Sequence, residues 1–217
     1  MTNGNSLINL GDLSRPATVL IEKISDAVGG VFRPHQIKRV AKAEAEAEII
    51  KALAQVETTE IQQRALVRLI QEEEKKQENI ESITAQSIHE LRQDAKPEAI
   101  DNDWIANFFD RCKLVSDKEM QSLWARLLAG EANAPGTISK RTIELVGSLD
   151  KSDAHLFTTL CGFGWMIGGI TPLIYDVQHE IYKKHGINFS TITHLNDIGL
   201  LTFNNLTGFV QQKIPKV

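Results

Sequence analysis

The stretch WIANFFDRCKLVSDKEMQSLWARLLAG, residues 104–130, decides the fold, because two apolar stripes run through it at helical spacing. The first stripe comprises Trp104, Ile105, Phe108, Phe109 and Cys112. The second comprises Met120, Leu123, Trp124, Leu127 and Leu128. Two short helices joined by a few residues cannot each bury a stripe alone, and aromatic side chains dominate burial. The stretch therefore predicts a helical hairpin that forms the main core.

Polar residues and glycine set the expected ends of these two helices. Ser116 and Glu119 have the spacing of a capping box, which predicts a helix start at about Asp117. Gly130 stands where a left-handed residue would end that helix. The acidic and amide residues at 101–103 can cap a first helix that runs to about residue 114.

Composition places the chain among ordinary globular proteins. Its 217 residues are 42% hydrophobic and 24% charged, which allows one or two domains with a sizeable core. The net charge of −4 argues against a broadly basic nucleic-acid-binding surface but leaves a local basic patch possible. Cys112 and Cys161 are too few for a zinc cluster or a disulfide framework, and Cys112 is expected to be buried within its stripe.

The expected location is cytoplasmic. The opening residues have no basic start followed by an apolar run, so they do not resemble a signal peptide. A chain without a disulfide pattern is typical of a reducing compartment. No uninterrupted apolar run reaches the roughly 20 residues that a spanning helix requires.

An amphipathic helix is predicted between Ala17 and Phe32, ended by Gly29 and Gly30. Its apolar face includes Leu20, Ile21, Ile24 and Val28. This face could pack on the protein's own core, on a partner, or at a membrane surface, which would make the protein peripheral at the inner membrane. Helices that lie on membranes usually carry basic residues on the polar face, whereas acidic residues here offset Lys23, which favours protein packing.

A short basic cluster follows, and it is the best candidate in the chain for contact with phosphate or a partner. It consists of Arg33, His35, Lys38, Arg39 and Lys42. Three glutamates follow at once, at positions 44, 46 and 48. The alternative interpretation is a solvated helix start.

Residues 36–93 are predicted to form one or two long helices, which we call the helical arm. Thr59 with Gln62 marks a second capping box or a break. Apolar residues then recur at helical spacing at Ile61, Ala65, Leu66, Leu69 and Ile70, and again at Ile80, Ile83, Ile88 and Leu91. A long helix with a narrow stripe cannot bury itself, so the arm predicts a helical hairpin or a self-associating coiled coil, and hence a homo-oligomer.

The last part of the chain, residues 164–217, is expected to be a small mixed α/β module. The pattern suggests an extended segment at 165–175, helices at 177–184 and 190–198, and a hairpin of strands at 200–203 and 209–214. Two helices followed by two strands is the order of a winged-helix unit. Its second helix has few basic residues, which favours a structural module over a DNA reader.

No catalytic, cofactor or metal motif is present in the sequence. It contains no GxSxG, Walker or dinucleotide-binding fingerprint, and no histidine has metal-ligand spacing to another histidine or cysteine. The expectation is a protein that is not an enzyme and has no cofactor.

The segments RPHQIKRVAKAEAEAEI (33–49), SDKEMQSLWARLLAGEANAPG (116–136) and ISKRTIELVGSLDKSDAHLF (138–157) resemble a bacterial family of unknown function, similar in outline to the Abi-alpha abortive-infection family. These are packing motifs, so the resemblance supplies no catalytic residue. It implies a role around phage defence or mobile elements.

The sequence as a whole predicts a mainly α protein with four parts. These are a leader at 1–14, an amphipathic helix with the helical arm at 15–96, a helical core at 97–163, and a winged-helix-like module at 164–217. The predicted function is that of a non-enzymatic, self-associating interaction protein, with phage defence as its setting and a protein partner or a membrane surface as further contacts. The alternative is a nucleic-acid-binding regulator that uses the tail and the basic cluster.

Overall fold

The computed structural model describes residues 13–29, 59–166, 170–172, 174 and 176–203. The chain is mainly α-helical, as predicted, and it divides into two compact units, Met1–Gly147 and Ser148–Val217. The division falls earlier than the boundary expected after residue 163, because the helix that follows Asp150 contributes Leu160 to the apolar cluster of the second unit.

The helices of the first unit are α1 (Arg15–Val28), α2 (Glu60–Ile88), a 3₁₀ turn (Pro97–Ala99), α3 (Asn102–Cys112), α4 (Lys118–Asn133) and α5 (Lys140–Gly147). The elements of the second unit are α6 (Lys151–Cys161), β1 (Gly164–Met166), β2 (Ile170–Pro172), α7 (Glu180–Lys183) and α8 (Phe189–Asp197).

Helices α3 and α4 form the predicted hairpin, and its aromatic residues make the core of the first unit. Phe108 stacks on Trp104 with ring centroids 5.1 Å apart and meets Trp124 edge to face at the same distance. Phe108 and Trp124 are fully buried. Edge-to-face and offset-stacked rings add directional attraction to the burial of a large apolar area. The prediction that these residues form the core is confirmed.

The start of α4 differs from the predicted capping box by one residue. Asp117 is the N-cap, and its Oδ1 accepts hydrogen bonds from the backbone N–H groups of Glu119 at 3.0 Å and Met120 at 3.1 Å. A carboxylate at this position satisfies two backbone donors and carries a charge that the helix dipole favours. The hydroxyl of Ser116 instead accepts a hydrogen bond from the amide of Asn79 at 3.3 Å.

Gly130 does not end α4, contrary to the prediction, because the helix continues to Asn133. A Cβ atom added at Gly130 would lie 3.2 Å from the Cδ1 atom of Ile138. The absence of a side chain at Gly130 therefore lets Ile138 of the following loop pack close to α4, and the residue does not form a left-handed turn.

Helix α1 confirms the predicted amphipathic helix and its end at Gly29, which has a φ of 78°. Ser14 caps its start by accepting a hydrogen bond from the N–H of Ala17 at 3.4 Å. The apolar face packs on α3 and on the 3₁₀ turn. Leu20 and Ile24 are fully buried there.

Helix α2 is the helix described within the helical arm, and of the two alternatives at Thr59 the capping box is observed. The backbone N–H of Thr59 donates to Oε1 of Gln62 at 2.8 Å, and the N–H of Gln62 donates to the hydroxyl of Thr59 at 3.4 Å. The last third of the helix, from Asn79 onward, packs on α4 and α3. The earlier part of the arm, residues 36–58, lies outside the described residues.

The second unit has its own small core, in which Leu160, Ile187, Ile192 and Leu195 are buried. Strands β1 and β2 pair antiparallel within the segment expected to be extended. Helix α8 confirms the predicted helix at 190–198, with Gly199 after it at a φ of 82°. Helix α7 is shorter than the predicted 177–184.

A winged-helix-like module is not supported by the described residues. Residues 201–203, predicted as the first strand of the hairpin, have no regular secondary structure. The backbone N–H of Phe203 instead donates back to Oδ1 of Asn196 in α8, at 2.9 Å. The second predicted strand, 209–214, lies outside the described residues, and the strands that are described precede both helices.

Candidate interaction surface

Exposed apolar side chains are concentrated at the N-terminal end of α2. The exposed fraction is 71% for Ile61, 55% for Val67, 52% for Leu69 and 47% for Ile70. A single exposed aliphatic residue is normal on a protein surface, but a group of them within ten residues forms a patch that needs an explanation. We call the side chains of Ile61, Ala65, Leu66, Leu69 and Ile70 the arm face; Leu66 is half-buried, and Val67 lies on the other side of the helix.

Local interactions support the helical structure of this exposed segment only weakly. Besides the capping box, Arg64 pairs with Glu60 at 3.4 Å and Arg68 pairs with Glu72 at 3.5 Å, both one helical turn apart. Exposed pairs of this kind add only about 0.3–0.5 kcal/mol each. The exposed end of α2 therefore gains little stability from its own surface, and a partner that packs on it would stabilise it further.

The arm face continues the face of α2 that is buried further along. Steps of three and four residues connect Leu66, Leu69, Glu73, Lys76, Ile80, Ile83 and Ser87. Ile83 and Ser87 are buried, and Ile80 is half-buried against the same core. One stripe along α2 is thus covered by the protein's own core at one end and open at the other.

A pair of charged residues separates the two ends of this stripe. Lys76 Nζ lies 2.6 Å from Oε1 of Glu73, and this contact raises the pKa of the Lys76 ammonium. The side chain of Lys76 is about one quarter exposed. The exposed part of the stripe therefore ends at the ion pair between Lys76 and Glu73, and the buried part begins at Asn79.

Two buried amides anchor α2 where its covered part begins. The Nε2 atom of Gln121 donates to Oδ1 of Asn79 at 3.0 Å and to the carbonyl of Val115 at 2.8 Å. Nδ2 of Asn79 donates to the carbonyl of Lys113 at 2.9 Å. Buried amides with complete hydrogen bonding specify one packing arrangement, so this cluster has a structural role. Neither residue belongs to a recognisable sequence motif, although Gln121 directly follows Met120 of the apolar stripe.

The apolar face of α1 is covered by the protein's own core, which was one of the three alternatives for it. Leu20 and Ile24 are fully buried, Ile21 is buried, and Val28 is half-buried. Since these side chains already pack on α3 and the 3₁₀ turn, they offer no free surface in this structure. The basic cluster at positions 33–42 lies outside the described residues.

A shallow depression of about 550 Å³ lies beside Trp104 in the first unit, with Glu131 and Lys140 in its lining. Glu131 is buried. Its two carboxylate oxygens accept hydrogen bonds from the backbone N–H groups of Gly136 at 2.6 Å and Ile138 at 2.8 Å. The carboxylate therefore holds the loop after α4 in place.

Each unit also contains a potentially reactive side chain with described surroundings. Cys112 is buried as predicted, and burial raises the pKa of its thiol far above the usual value, so the thiol stays protonated. In the second unit, Nε2 of His194 lies 2.8 Å from Oδ1 of Asp153 and joins α8 to α6.

The described residues contain no group of three or more histidine, cysteine or acidic side chains placed to hold a metal ion. In the same part of the chain, none of the helices combines the length and the apolar character that a membrane crossing needs.

Comparison with known protein families gives a match over most of the chain. A family model described as a protein of unknown function, DUF2806, matches residues 63–217, which include most of α2 and all of the elements after it. No curated protein and no solved structure matches the chain. The match confirms an uncharacterised family and is not to the Abi-alpha family.

Proposed function

The chain belongs to the DUF2806 family of proteins of unknown function. We propose that it is a non-enzymatic protein that self-associates through the arm face. The observation that carries the proposal is the exposure of the aliphatic side chains at the N-terminal end of α2, on the stripe that the core covers further along.

The width of the arm face supports a protein partner. At about 100° per residue, Ile61 and Ile70 stand on opposite sides of the helix, with Leu69 and Leu66 between them, so the apolar arc spans about half the circumference. A stripe of about 100° is enough for a helix that packs on a single core. Fully burying an aliphatic side chain is favourable by about 1.5–3 kcal/mol. A partner helix that packs on the arm face would bury several such side chains.

The hydrogen bonds of three buried side chains of the first unit, Asn79, Gln121 and Glu131, support a structural role for them. Asn79 and Gln121 bond to each other and to the backbone, and Glu131 bonds to the loop that follows its own helix. Catalytic groups usually need a polar atom left available for a substrate. The amides of Asn79 and Gln121 and the carboxylate of Glu131 already make structural hydrogen bonds.

The biological setting that we propose is phage defence. This proposal rests on the resemblance in outline of residues 33–49, 116–136 and 138–157 to the Abi-alpha family, and not on the DUF2806 match. Cells that carry the intact gene should reduce the plating efficiency of at least one phage. A variant with Leu66 and Leu69 changed to Ser should lose that protection, because assembly through the arm face would be lost. Protection that the double variant retains in full would separate defence from assembly.

The alternative role as a nucleic-acid-binding regulator has less support. Helix α8, the element that would enter a groove, carries no lysine or arginine, and its one basic side chain, His194, is engaged with Asp153. Groove-reading helices usually present Arg, Lys, Asn or Gln to the base edges.

Light scattering after size-exclusion chromatography tests self-association. The wild-type chain, with a mass of 24.2 kDa, should elute with a mass above that value that rises with concentration. Leu66→Ser with Leu69→Ser should elute as the monomer with unchanged helical circular dichroism, because the removed side chains lie outside the core of the unit. The matched control, Gln63→Ser with Gln71→Ser, changes exposed polar residues of the same helix and should behave as wild type. A wild-type chain that is monomeric at every concentration contradicts the proposal.

A further inference from the structure

The open stripe of α2 also restricts how two copies can meet. Resting on the proposed self-association, we propose that two α2 helices pair antiparallel about a twofold axis between positions 67 and 68. Leu66 of one copy then packs on Leu69 of the second copy. The occupant of the arm face is therefore a second copy of this chain.

Helix α4 excludes the parallel alternative. From Asn79 onward the stripe that carries the arm face is covered by α4, and Ile83 is fully buried there. A parallel partner helix would run along the same side of α2 through residues 79–88. Two helices cannot occupy one face, because core packing leaves no space for a second backbone.

The part of α2 that α4 does not cover is long enough for an antiparallel partner helix. With the axis between positions 67 and 68, Glu60 of the second copy lies opposite Lys75, and the capping box at Thr59 ends the helix there. The paired segment, 60–75, is about 24 Å long at 1.5 Å per residue. The partner helix thus stops before Asn79, where α4 takes over the stripe.

Charge along the stripe favours the same arrangement. In a parallel, in-register pair, Glu73 would face Glu73 and Lys76 would face Lys76 across the seam. Like charges that face each other across an interface are unfavourable. In the antiparallel pair Glu73 faces the uncharged Gln62, and Lys76 keeps its bridge to the Glu73 of its own chain.

Disulfide cross-linking between two variants, each with one introduced cysteine, tests the orientation. Gln62→Cys and Glu73→Cys are each made in a Cys161→Ser background, with one of the two variants tagged to change its size. Cys112 can remain because it is buried. Both substitutions leave Leu66 and Leu69 intact. The two variants are co-expressed, purified and oxidised mildly.

An antiparallel pair should give cross-links only between a Gln62→Cys chain and a Glu73→Cys chain. Within a Gln62→Cys homodimer the two introduced thiols would be separated by about 16 Å along the axis. A disulfide requires Cα atoms within about 7 Å, so each variant alone should stay uncross-linked. The matched control is Gln71→Cys, which lies on the side of the helix away from the arm face and should form no link with either variant.

The outcomes separate this inference from the proposed function. Links within the Gln62→Cys variant and within the Glu73→Cys variant, in a protein that light scattering shows to be a dimer, overturn the antiparallel pair and leave self-association intact. A dimer with none of these links overturns the arm face as the interface. A strictly monomeric wild type overturns both proposals, and another part of the chain or a different protein would then cover the arm face.

Discussion

At Gln121, one side-chain amide joins three segments of the first unit. Its Nε2 donates to Asn79 in α2 and to the carbonyl of Val115 in the loop before α4. Its Oε1 accepts from the hydroxyl of Ser82 at 2.8 Å and from Lys118 Nζ at 3.1 Å. Hydrogen bonds in a buried network are stronger than the same bonds would be in water. Removing one member therefore leaves buried polar groups unpaired and destabilises the fold.

Replacing Gln121 with Leu should therefore destabilise the protein by about 3 kcal/mol. The leucine would fill much of the volume but would leave the Asn79 Oδ1 and the Val115 carbonyl without their present donor. Urea unfolding followed by circular dichroism measures the change. Gln71→Ala, on the exposed part of α2, is the control and should change the stability by less than about 0.5 kcal/mol. Equal effects of the two substitutions would contradict a structural role for the Gln121 network.

Buried side chains also form hydrogen bonds that hold the backbone of the loop after α4 in place. The indole Nε1 of Trp104 donates to the carbonyl of Ile138 at 2.7 Å, while Glu131 accepts the N–H of the same residue. Gly136, with a φ of 85°, supplies the left-handed residue that this loop requires. Pro135-Gly136 is a typical turn sequence, but sequence alone does not show that Trp104 and Glu131 hold the loop in place.

At the scale of elements, α1 and α2 present the same type of apolar stripe with different outcomes. The face of α1 is covered by α3 and the 3₁₀ turn. Helix α2 has 29 residues and α4 has 16, so at 1.5 Å per residue their lengths are about 44 Å and 24 Å. A helix that is shorter by about 20 Å leaves one end of its neighbour's stripe uncovered.

The docking of α1 predicts the effect of Ile24→Ala. Because Ile24 is fully buried against the core, removing its larger side chain should destabilise the protein by about 2–4 kcal/mol through lost burial and the remaining cavity. Thermal or urea unfolding measures the change, with Glu22→Ala on the exposed face of the same helix as the control. An α1 face that served a membrane surface would give the opposite pattern, with unchanged stability and weaker co-sedimentation with anionic lipid vesicles.

At the scale of the whole molecule, the two units have separate cores. The buried cluster of the first unit runs from Leu20 to Val146, and that of the second unit from Leu160 to Leu195. Each cluster is formed by residues on one side of the division at Gly147 and Ser148.

This division predicts that residues 1–147 fold as an isolated fragment. The fragment should unfold cooperatively, because it contains its whole apolar cluster, and it should self-associate like the full chain, because the arm face lies within it. Circular dichroism with urea and light scattering measure the two properties. A fragment that unfolds without cooperativity would show that the second unit is needed for the first to fold. A folded but monomeric fragment would place the interface in residues 148–217.

The sequence by itself determined the mainly helical class, the aromatic hairpin and the positions of several helix ends. These follow from local physical chemistry, since helical periodicity, caps and glycine act within a few residues of one another. The same locality explains the two errors at α4. Asp117 and Ser116 are both suitable caps, and a glycine that ends a helix looks the same in sequence as Gly130, which makes room for Ile138.

Only the tertiary structure decided which apolar faces are covered and which is open. Periodicity shows that Leu20, Ile83 and Leu69 each lie on an apolar stripe, but burial depends on segments that are distant in sequence. Leu20 and Ile83 meet the α3–α4 hairpin, whereas Leu69 lies beyond its reach. The physical reason is that a stripe belongs to one helix, while its burial depends on the length and position of the neighbour that packs against it.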